Sequence, residues 1–151
     1  MDTPLEKQGE TPYRLLEVTI PITIRTYQID FAGIVSNTVY LQWLEDLRMK
    51  FLEEHFPLPL QLSAGYAPAL IRTEIHYMRQ LRLFDPVIGK AWLHHVTRTT
   101  WTIHNEILSN GEVVATASQT GAFIRLESGK PVRVPLEWRE KFIGAMTQAK
   151  S

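Results

Sequence analysis

One stretch of helical periodicity, from about residue 37 to residue 55, most constrains what this chain can fold into. Its apolar side chains recur at helical spacing on one stripe, which consists of Val39, Tyr40, Trp43, Leu44, Leu47 and Phe51. Ser36 or Asn37 can cap the start of the helix, and Pro57 with Pro59 prevents its continuation. We therefore expect one long amphipathic helix whose apolar stripe has to be covered by other elements.

Period-two alternation predicts the strands that supply this cover. Apolar and polar side chains alternate over residues 17–25, 69–78, 87–97, 99–108 and 112–125. Pro21 lies in the first of these strands and has no N–H, so that strand is expected at a sheet edge or at a bulge. The Ser-Asn-Gly sequence at 109–111 predicts a hairpin, and the sheet is therefore expected to be mainly antiparallel.

The remaining segments complete the predicted domain. A proline-rich loop is expected between the helix and the second strand, and Pro135 opens a short terminal helix. A length of 151 residues fits one domain. We expect residues 1–15 to form a flexible N-terminal arm, and residues 16–145 to form a single α+β domain with a five- to six-stranded sheet around the helix.

Composition excludes several classes of function. Sixteen Lys and Arg balance sixteen Asp and Glu, so the chain lacks the basic surface of a nucleic-acid binder. It has no cysteine, which removes disulfides, thiolate metal sites and a cysteine nucleophile. No apolar run is long enough for a membrane span, and the polar start lacks the regions of a secretory signal. We expect a cytoplasmic protein, whose net charge of zero does little to oppose self-association.

Asp30 is the candidate for chemistry. It lies at a strand end, before a turn at Gly33 and before the helix start. An Asp in this position is commonly a turn or capping residue, but the surrounding turn, Asp-Phe-Ala-Gly-Ile-Val, is unusually apolar for a solvated loop. Asn37 and Thr38 can cap the helix, and the same helix start can attract an oxyanion.

Other sites are poorly supported. His94 and His95 are adjacent in a strand and point to opposite faces, while His76 and His104 lie in separate strands, so we predict no metal site. No serine lies in a GxSxG elbow, and no glycine-rich nucleotide loop is present. Five arginines in or near the strands are expected on solvated faces or, for some of them, at the phosphates of a coenzyme: Arg72, Arg79, Arg82, Arg98 and Arg125.

The active-site segment resembles a known family. Asp-Phe-Ala-Gly-Ile-Val at 30–35, followed by the helix start at Asn37, resembles the active-site segment of 4-hydroxybenzoyl-CoA-type thioesterases of the hot-dog fold. The likeness continues through residues 76–87 and 129–135, so it covers roughly residues 17–142. Within this superfamily the chain looks similar to plant and cyanobacterial acyl-ACP thioesterases.

The resemblance implies roles for individual residues. Asp30 matches the catalytic carboxylate, the backbone N–H of Asn37 matches the oxyanion donor, and Gly33 matches the turn glycine. The resemblance further implies that substrate is bound by Gly33, Ile34, Val35, Ser36, Tyr40, Thr73 and His76. The family usually forms dimers joined sheet edge to sheet edge, so the partner's second strand, about residues 73–79, is expected to face the helix start. Ser36 stands where many relatives have an aromatic residue or His, so an aryl-binding site is not carried over.

The expected function is hydrolysis of an acyl-CoA or acyl-ACP thioester to free acid and thiol. Asp30 is expected to act as nucleophile or general base, with the helix N-terminus as oxyanion hole. No metal or bound cofactor is expected, because CoA or the carrier protein enters as part of the substrate, and a homodimer or homotetramer is expected. Two alternatives stay open: a non-catalytic module that binds acyl thioesters, and a hot-dog hydratase or dehydratase, which usually has a His beside the Asp.

Overall fold

The structure, a computed structural model, describes residues 12–151, so residues 1–11 of the predicted N-terminal arm lie outside it. The elements, in chain order, are β1 (Leu15–Ile22), a 3₁₀ turn (Thr26–Gln28), α1 (Val39–His55), α2 (Leu58–Ser63), β2 (Tyr66–Tyr77), β3 (Val87–Val96), β4 (Trp101–Ser109), β5 (Glu112–Arg125), β6 (Pro131–Val132) and α3 (Leu136–Lys150). All five predicted strands and the long helix are present, which confirms the α+β architecture. The domain limits at 15 and 145 stay a prediction.

The strands form one antiparallel sheet with the order β1, β3, β4, β5, β2, and the short β6 pairs with β5. Strand β1 is an edge strand, and its register shifts between Leu15 and Val18. Pro21 pairs with Ile88 on β3 and lies on this edge strand, where a missing N–H is tolerated. Strand β2 forms the opposite edge, and its outer side is unpaired within the described chain. This is the strand that the resemblance places in the dimer contact.

Helix α1 packs on β1, β3 and β4 and provides the centre of the core. Its buried side chains are the predicted stripe with one addition: Val39, Tyr40, Trp43, Leu44, Leu47, Phe51 and Leu52. The helix begins at Val39 rather than at Asn37, because the Val39 N–H first closes a turn onto the Ser36 carbonyl at 3.0 Å. Thr38 is therefore the N-cap residue, its side chain makes no capping hydrogen bond, and the first turn holds no acidic residue.

The proline-rich connection was predicted as a loop, and this prediction is wrong over Leu58–Ser63, which forms α2. Pro57 is the N-cap residue and Pro59 lies in the first turn, where proline lacks only an N–H that has no helical partner anyway. The terminal helix is also longer than predicted, with 15 residues. Its Trp138 stacks on Phe56 with ring centroids 3.9 Å apart, which secures α3 against the end of α1.

A polar network crosses the otherwise apolar core between α1 and the sheet. Gln119 on β5 is 0% exposed, and its Oε1 accepts a hydrogen bond from the Arg48 guanidinium. Its Nε2 donates to Asn105 Oδ1 at 2.9 Å and to the Leu44 carbonyl at 3.3 Å. Burial lowers the pKa of Arg48, whose nearest carboxylate among the described ion pairs is that of Glu45, at 4.0 Å. The network links the middle of the helix to two central strands.

Strand β5 is rich in small residues, and Gly121 shows one reason. A Cβ at Gly121 would lie 2.3 Å from the Ala69 carbonyl oxygen and 2.2 Å from the Trp101 ring. The indole of Trp101 lies over this position, and its Nε1 donates to the Ala122 carbonyl at 2.9 Å. At this point the absent side chain makes room for the neighbouring strand β2 and for the Trp101 ring.

Candidate active site

The turn around Asp30 is closed by the carboxylate itself. Asp30 Oδ1 accepts hydrogen bonds from the N–H groups of Ala32 at 2.8 Å and Ile34 at 3.2 Å, and the Asp30 N–H donates to the Ile34 carbonyl at 2.9 Å. Gly33 has φ +78°, with no neighbouring atom within 4 Å of a built Cβ, so backbone conformation rather than space favours glycine here. No described residue donates to Oδ2, so the exposed carboxylate uses one oxygen for the turn and keeps the other available.

The start of α1 lies beside this turn and is held by aromatic side chains. The Tyr77 hydroxyl donates to the Asn37 carbonyl at 2.9 Å, and the Tyr77 ring meets the Tyr40 ring edge-on at 5.0 Å. Burial, and then the nearby Tyr77 phenol, raises the pKa of Tyr40 to about 12, so Tyr40 stays neutral. Within residues 12–151 the Asn37 N–H donates to no protein acceptor. It is an available donor at the positive end of a helix.

These elements enclose an open cleft of about 750 Å³. Its lining residues are Asp30, Ile34, Val35, Ser36, Asn37, Tyr40, Tyr77, Met78, Arg79 and Gln80. The main chain ties the two sides together, because the Val35 N–H donates to the Leu81 carbonyl at 2.8 Å and Ile34 forms an antiparallel bridge with Arg82. The cleft thus brings six of the nine sequence-predicted site residues together around one carboxylate and one helix start.

The other three predicted residues lie elsewhere in the chain. Gly33 shapes the Asp30 turn without lining the cleft. Thr73 on β2 does not line it either, and His76 lines a second cavity, of about 480 Å³, on another part of the sheet. The resemblance assigns these two side chains to the partner subunit's strand, so their contribution stays a prediction.

Four further residues line the cleft of this protomer: Tyr77, Met78, Arg79 and Gln80. Sequence reasoning named only Arg79 among them, as an arginine that could meet the phosphates of a coenzyme, and it assigned the strand up to Arg79 to the partner's side of the site. They follow directly from β2 into the connection that leads to Leu81, and the stretch 76–87 had already been noted for its family likeness. The missing information was the pairing of Ile34 with Arg82, which brings this connection beside the Asp30 turn. A bridge between segments nearly fifty positions apart has no local sequence signal.

The histidines lie away from the cleft. His94 and His104 stack with ring centroids 3.7 Å apart on the surface that lines the second cavity. Burial, and then the neighbouring His94, lowers the pKa of His104 to about 4. Among the described residues no group of three or more His, Cys, Asp or Glu side chains is arranged to hold a metal ion. Over residues 12–151 none of the helices combines the length and the apolar character needed to span a membrane.

The cleft can support attack on a carbonyl carbon. A carboxylate with one available oxygen can add to that carbon or remove a proton from water, and an available N–H at a helix start can stabilise the resulting oxyanion. The neutral phenol of Tyr40 and the side chains of Ile34 and Val35 also line the cleft, and both Tyr40 and Val35 are only 2% exposed. This combination suits an acyl compound with a good leaving group.

Comparison with known proteins agrees with this chemistry. The sequence profile of the thioesterase-like superfamily matches residues 24–142. The chloroplastic acyl-acyl carrier protein thioesterase ATL3 of Arabidopsis thaliana is 26% identical over 133 residues, which cover 85% of this chain and 69% of that protein. The long-chain acyl-CoA thioesterase FadM of Escherichia coli is 28% identical over 122 residues, which cover 80% of this chain and 92% of that protein.

The fold is also found among solved structures. A DHNA-CoA thioesterase from Staphylococcus aureus superposes with a TM-score of 0.79 at 20% identity, over 89% of this chain and 95% of that one. The helix-on-sheet architecture is therefore the hot-dog fold that the resemblance implied. The chain belongs to the thioesterase-like superfamily. It is a thioesterase, an enzyme that hydrolyses acyl thioesters in the general sense of that family.

Proposed function

We propose that the chain hydrolyses fatty acyl thioesters of CoA or of an acyl carrier protein, with Asp30 as nucleophile or general base. The observation that carries the proposal is the divided role of the Asp30 carboxylate, whose Oδ1 closes the turn while Oδ2 has no described donor. The names of the two curated relatives, an acyl-ACP and a long-chain acyl-CoA thioesterase, support a fatty acyl group.

In the proposed reaction the thioester carbonyl lies beside the start of α1. The Asn37 N–H donates to the oxyanion, and the macrodipole of α1 adds to this stabilisation. The thiolate of CoA or of the carrier protein is the leaving group, and water supplies the second oxygen of the acid. The reaction needs no metal and no resident cofactor, because the coenzyme arrives with the substrate.

The site is proposed to be completed by a second copy of the chain in a cytoplasmic homodimer or homotetramer. The outer side of β2 is unpaired within the described residues, and Leu70 and Ile71 on this strand have exposed side chains. An exposed apolar strand edge is prone to pairing with another chain. In the proposed dimer two such edges pair, and the family resemblance implies that the partner's Thr73 and His76 then face the cleft.

The test is release of free thiol from a panel of long-chain, short-chain, 3-oxo and aromatic acyl-CoA and acyl-ACP substrates. We expect Asp30→Asn to lower kcat at least about 100-fold, in line with the loss of a general base or nucleophile. The amide oxygen of Asn can still accept the N–H groups of Ala32 and Ile34, so the melting temperature should stay within a few degrees of the wild type. Asp46→Asn, at an exposed helix position, is the matched control.

The outcomes separate the proposed function from its alternatives. Undiminished turnover in a folded Asp30→Asn variant would overturn the assignment of Asp30. Tight binding of acyl thioesters without thiol release would indicate a binding module, and hydration of an enoyl thioester would indicate a hydratase. Within the described residues of one protomer no histidine lines the cleft, so a hydratase would depend on the partner's His76.

A further inference from the structure

The Asn37 N–H belongs to the peptide group between Ser36 and Asn37, and hydrogen bonds fix this group from both sides. On one side, the Ser36 N–H donates to the Gln28 carbonyl at 3.0 Å, and the Ser36 carbonyl accepts the Val39 N–H at 3.0 Å. On the other side, the Asn37 carbonyl accepts the Tyr77 hydroxyl at 2.9 Å. The direction in which the Asn37 N–H points is therefore set by its two neighbouring peptide groups.

The bond from Tyr77 is the one that ties the start of α1 to the sheet. The Asn37 carbonyl also accepts the Tyr40 N–H, but at 3.3 Å and from within the first turn of the helix itself. Tyr77 is the last residue of β2 and comes forty positions after Asn37 in the sequence. Its main chain is held in the sheet opposite Ala115 on β5. The phenol thus fixes the Asn37 carbonyl relative to a rigid element.

This support differs in kind from an ordinary helix cap. A capping side chain accepts hydrogen bonds from the N–H groups of the first turn, and it thereby uses up donors. Thr38 forms no such bond, and the first turn of α1 holds no acidic residue. The Tyr77 hydroxyl acts on a carbonyl instead. It holds the start of the helix in place and leaves the Asn37 N–H available to an oxyanion.

Tyr77 is less suited to other roles. Its side chain is 44% exposed, so only part of the ring packs in the core, where it meets Tyr40 edge-on at 5.0 Å. The hydroxyl hydrogen is engaged by the Asn37 carbonyl. Direct transfer of this proton to a leaving thiolate would first have to break that bond. Tyr77 lines the cleft, but its polar atom is turned to the backbone that carries the oxyanion donor.

We propose that Tyr77 is a positioning residue for thioester hydrolysis, whose hydroxyl holds the Asn37 N–H in line with the oxyanion. This inference rests on the proposed function, because it takes the Asn37 N–H as the oxyanion donor. The effect is geometric, since the Tyr77 bond is made to the next peptide group and not to the one that carries the donor. A donor that moves out of line loses most where charge develops, so kcat rather than KM carries the loss.

The variant Tyr77→Phe tests the proposal, because it removes the hydroxyl and keeps the ring. We expect kcat to fall about tenfold, which is less than the loss of an oxyanion donor, because the N–H is displaced but still present. KM should stay within about twofold of the wild type. Tyr66→Phe, at the opposite end of the same strand, is the matched control and should retain wild-type kcat. An unchanged kcat in Tyr77→Phe, or a loss confined to KM, would overturn the proposal.

The pH dependence of kcat separates positioning from proton transfer. A residue that only orients a backbone donor does not titrate in the reaction, so Tyr77→Phe should lower kcat by the same factor at every pH. A limb of the profile that is present in the wild type and absent in Tyr77→Phe would assign the phenol to proton transfer. That result would overturn the positioning role.

A spectroscopic measurement keeps this inference separate from the proposed function. In a ketone analogue of acyl-CoA a methylene group replaces the thioester sulfur, so the compound is not hydrolysed and its carbonyl stretch can be followed by infrared spectroscopy. We expect binding to the wild type and to Tyr66→Phe to lower the stretching frequency, because an N–H donates to the carbonyl oxygen. In Tyr77→Phe the lowering should be about half as large or less, because the donor is out of line.

The outcomes of this measurement distinguish the two claims. The same frequency in Tyr77→Phe as in the wild type would overturn the role of Tyr77 even if hydrolysis depends on Asp30. Absence of thioester hydrolysis by the wild type, together with a lowering that depends on Tyr77, would overturn the proposed function alone.

Discussion

Replacing Gln119 by Leu removes a buried amide that joins α1 to the sheet, and the structure predicts how much stability is lost. Gln119 is 0% exposed, accepts a hydrogen bond from Arg48 and donates to Asn105 and Leu44. Leucine has a similar volume but can make none of these bonds. The guanidinium of Arg48, whose side chain is only 18% exposed, would keep its charge and lose its buried acceptor.

The magnitude follows from the bonds removed. A hydrogen bond to a charged group contributes about 1.5–3 kcal/mol, and the neutral bonds to Asn105 and to the Leu44 carbonyl contribute about 0.5–1.5 kcal/mol each. Burial of the apolar leucine side chain offsets about 1–2 kcal/mol of this lost stability. We expect a net loss of about 2–3 kcal/mol in the free energy of unfolding. For a chain of 151 residues this corresponds to a melting temperature lower by about 5–10 °C.

The double variant Arg48→Met with Gln119→Leu tests the physical reason. Replacing a buried charge together with its partner by apolar residues is often neutral, whereas removing one partner leaves the charge stranded. We expect the double variant to be at least about 1 kcal/mol more stable than Gln119→Leu alone, with the unpaired Asn105 oxygen accounting for the remaining deficit. Urea unfolding followed by circular dichroism measures the stability of the wild type, the two single variants and the double variant, which together form a double-mutant cycle. If the two losses simply add, Arg48 stabilises the core by packing and the argument from charge is refuted.

Two further predictions concern His104 and the pair of glycines Gly121 and Gly144. The pKa of His104 is lowered to about 4 in the folded protein, against 6.5 for the free side chain. Between these pH values the unfolded chain binds more protons than the folded protein. Stability should therefore fall as the pH drops from 6.5 to 4. At about 1.4 kcal/mol per pKa unit, the His104 contribution amounts to about 3 kcal/mol. In urea unfolding, the free energy of unfolding of His104→Asn should depend less on pH than that of the wild type. The same pH dependence in both proteins would contradict the assignment to His104. Gly121→Ala should lower stability by about 1–3 kcal/mol or more, because its Cβ would overlap the Ala69 carbonyl and Trp101. Gly144→Ala, in α3 with no atom within 4 Å of its Cβ, should instead raise it by up to about 1 kcal/mol, and thermal melts that rank the two variants the other way would refute this reading of the sheet.

The regular part of the fold was predictable because its signals are local. The stripe from Val39 to Phe51 and the alternation of the strands each repeat with the period of the element they form. The helix α2 was missed for a local reason too, since Pro57 and Pro59 are read as breakers although both occupy positions that tolerate proline. The two-residue strand Pro131–Val132 is too short to show any period.

The candidate site was predictable only for residues that lie close together in the sequence. Asp30, the glycine turn and the start of α1 lie within ten residues, and the structure brings them to one cleft as expected. Tyr77 could not be placed, because its hydroxyl reaches Asn37 only through the pairing of Ile34 with Arg82. The buried network of Gln119 was equally invisible, since a polar residue on an inward-facing strand position contradicts the period that identified the strand.

At the start of α1, a substitution that raises thermal stability is expected to lower turnover. Its N-cap residue Thr38 forms no side-chain cap, and no acid stands in the first turn. Leu41, an exposed first-turn residue, could be replaced by Glu, which would gain capping and dipole energy of about 1 kcal/mol. On the proposed mechanism the same carboxylate would place a permanent negative charge where a transient one has to form. Libraries of this enzyme selected for survival at high temperature should therefore accumulate acids at this turn and lose rate as they do so.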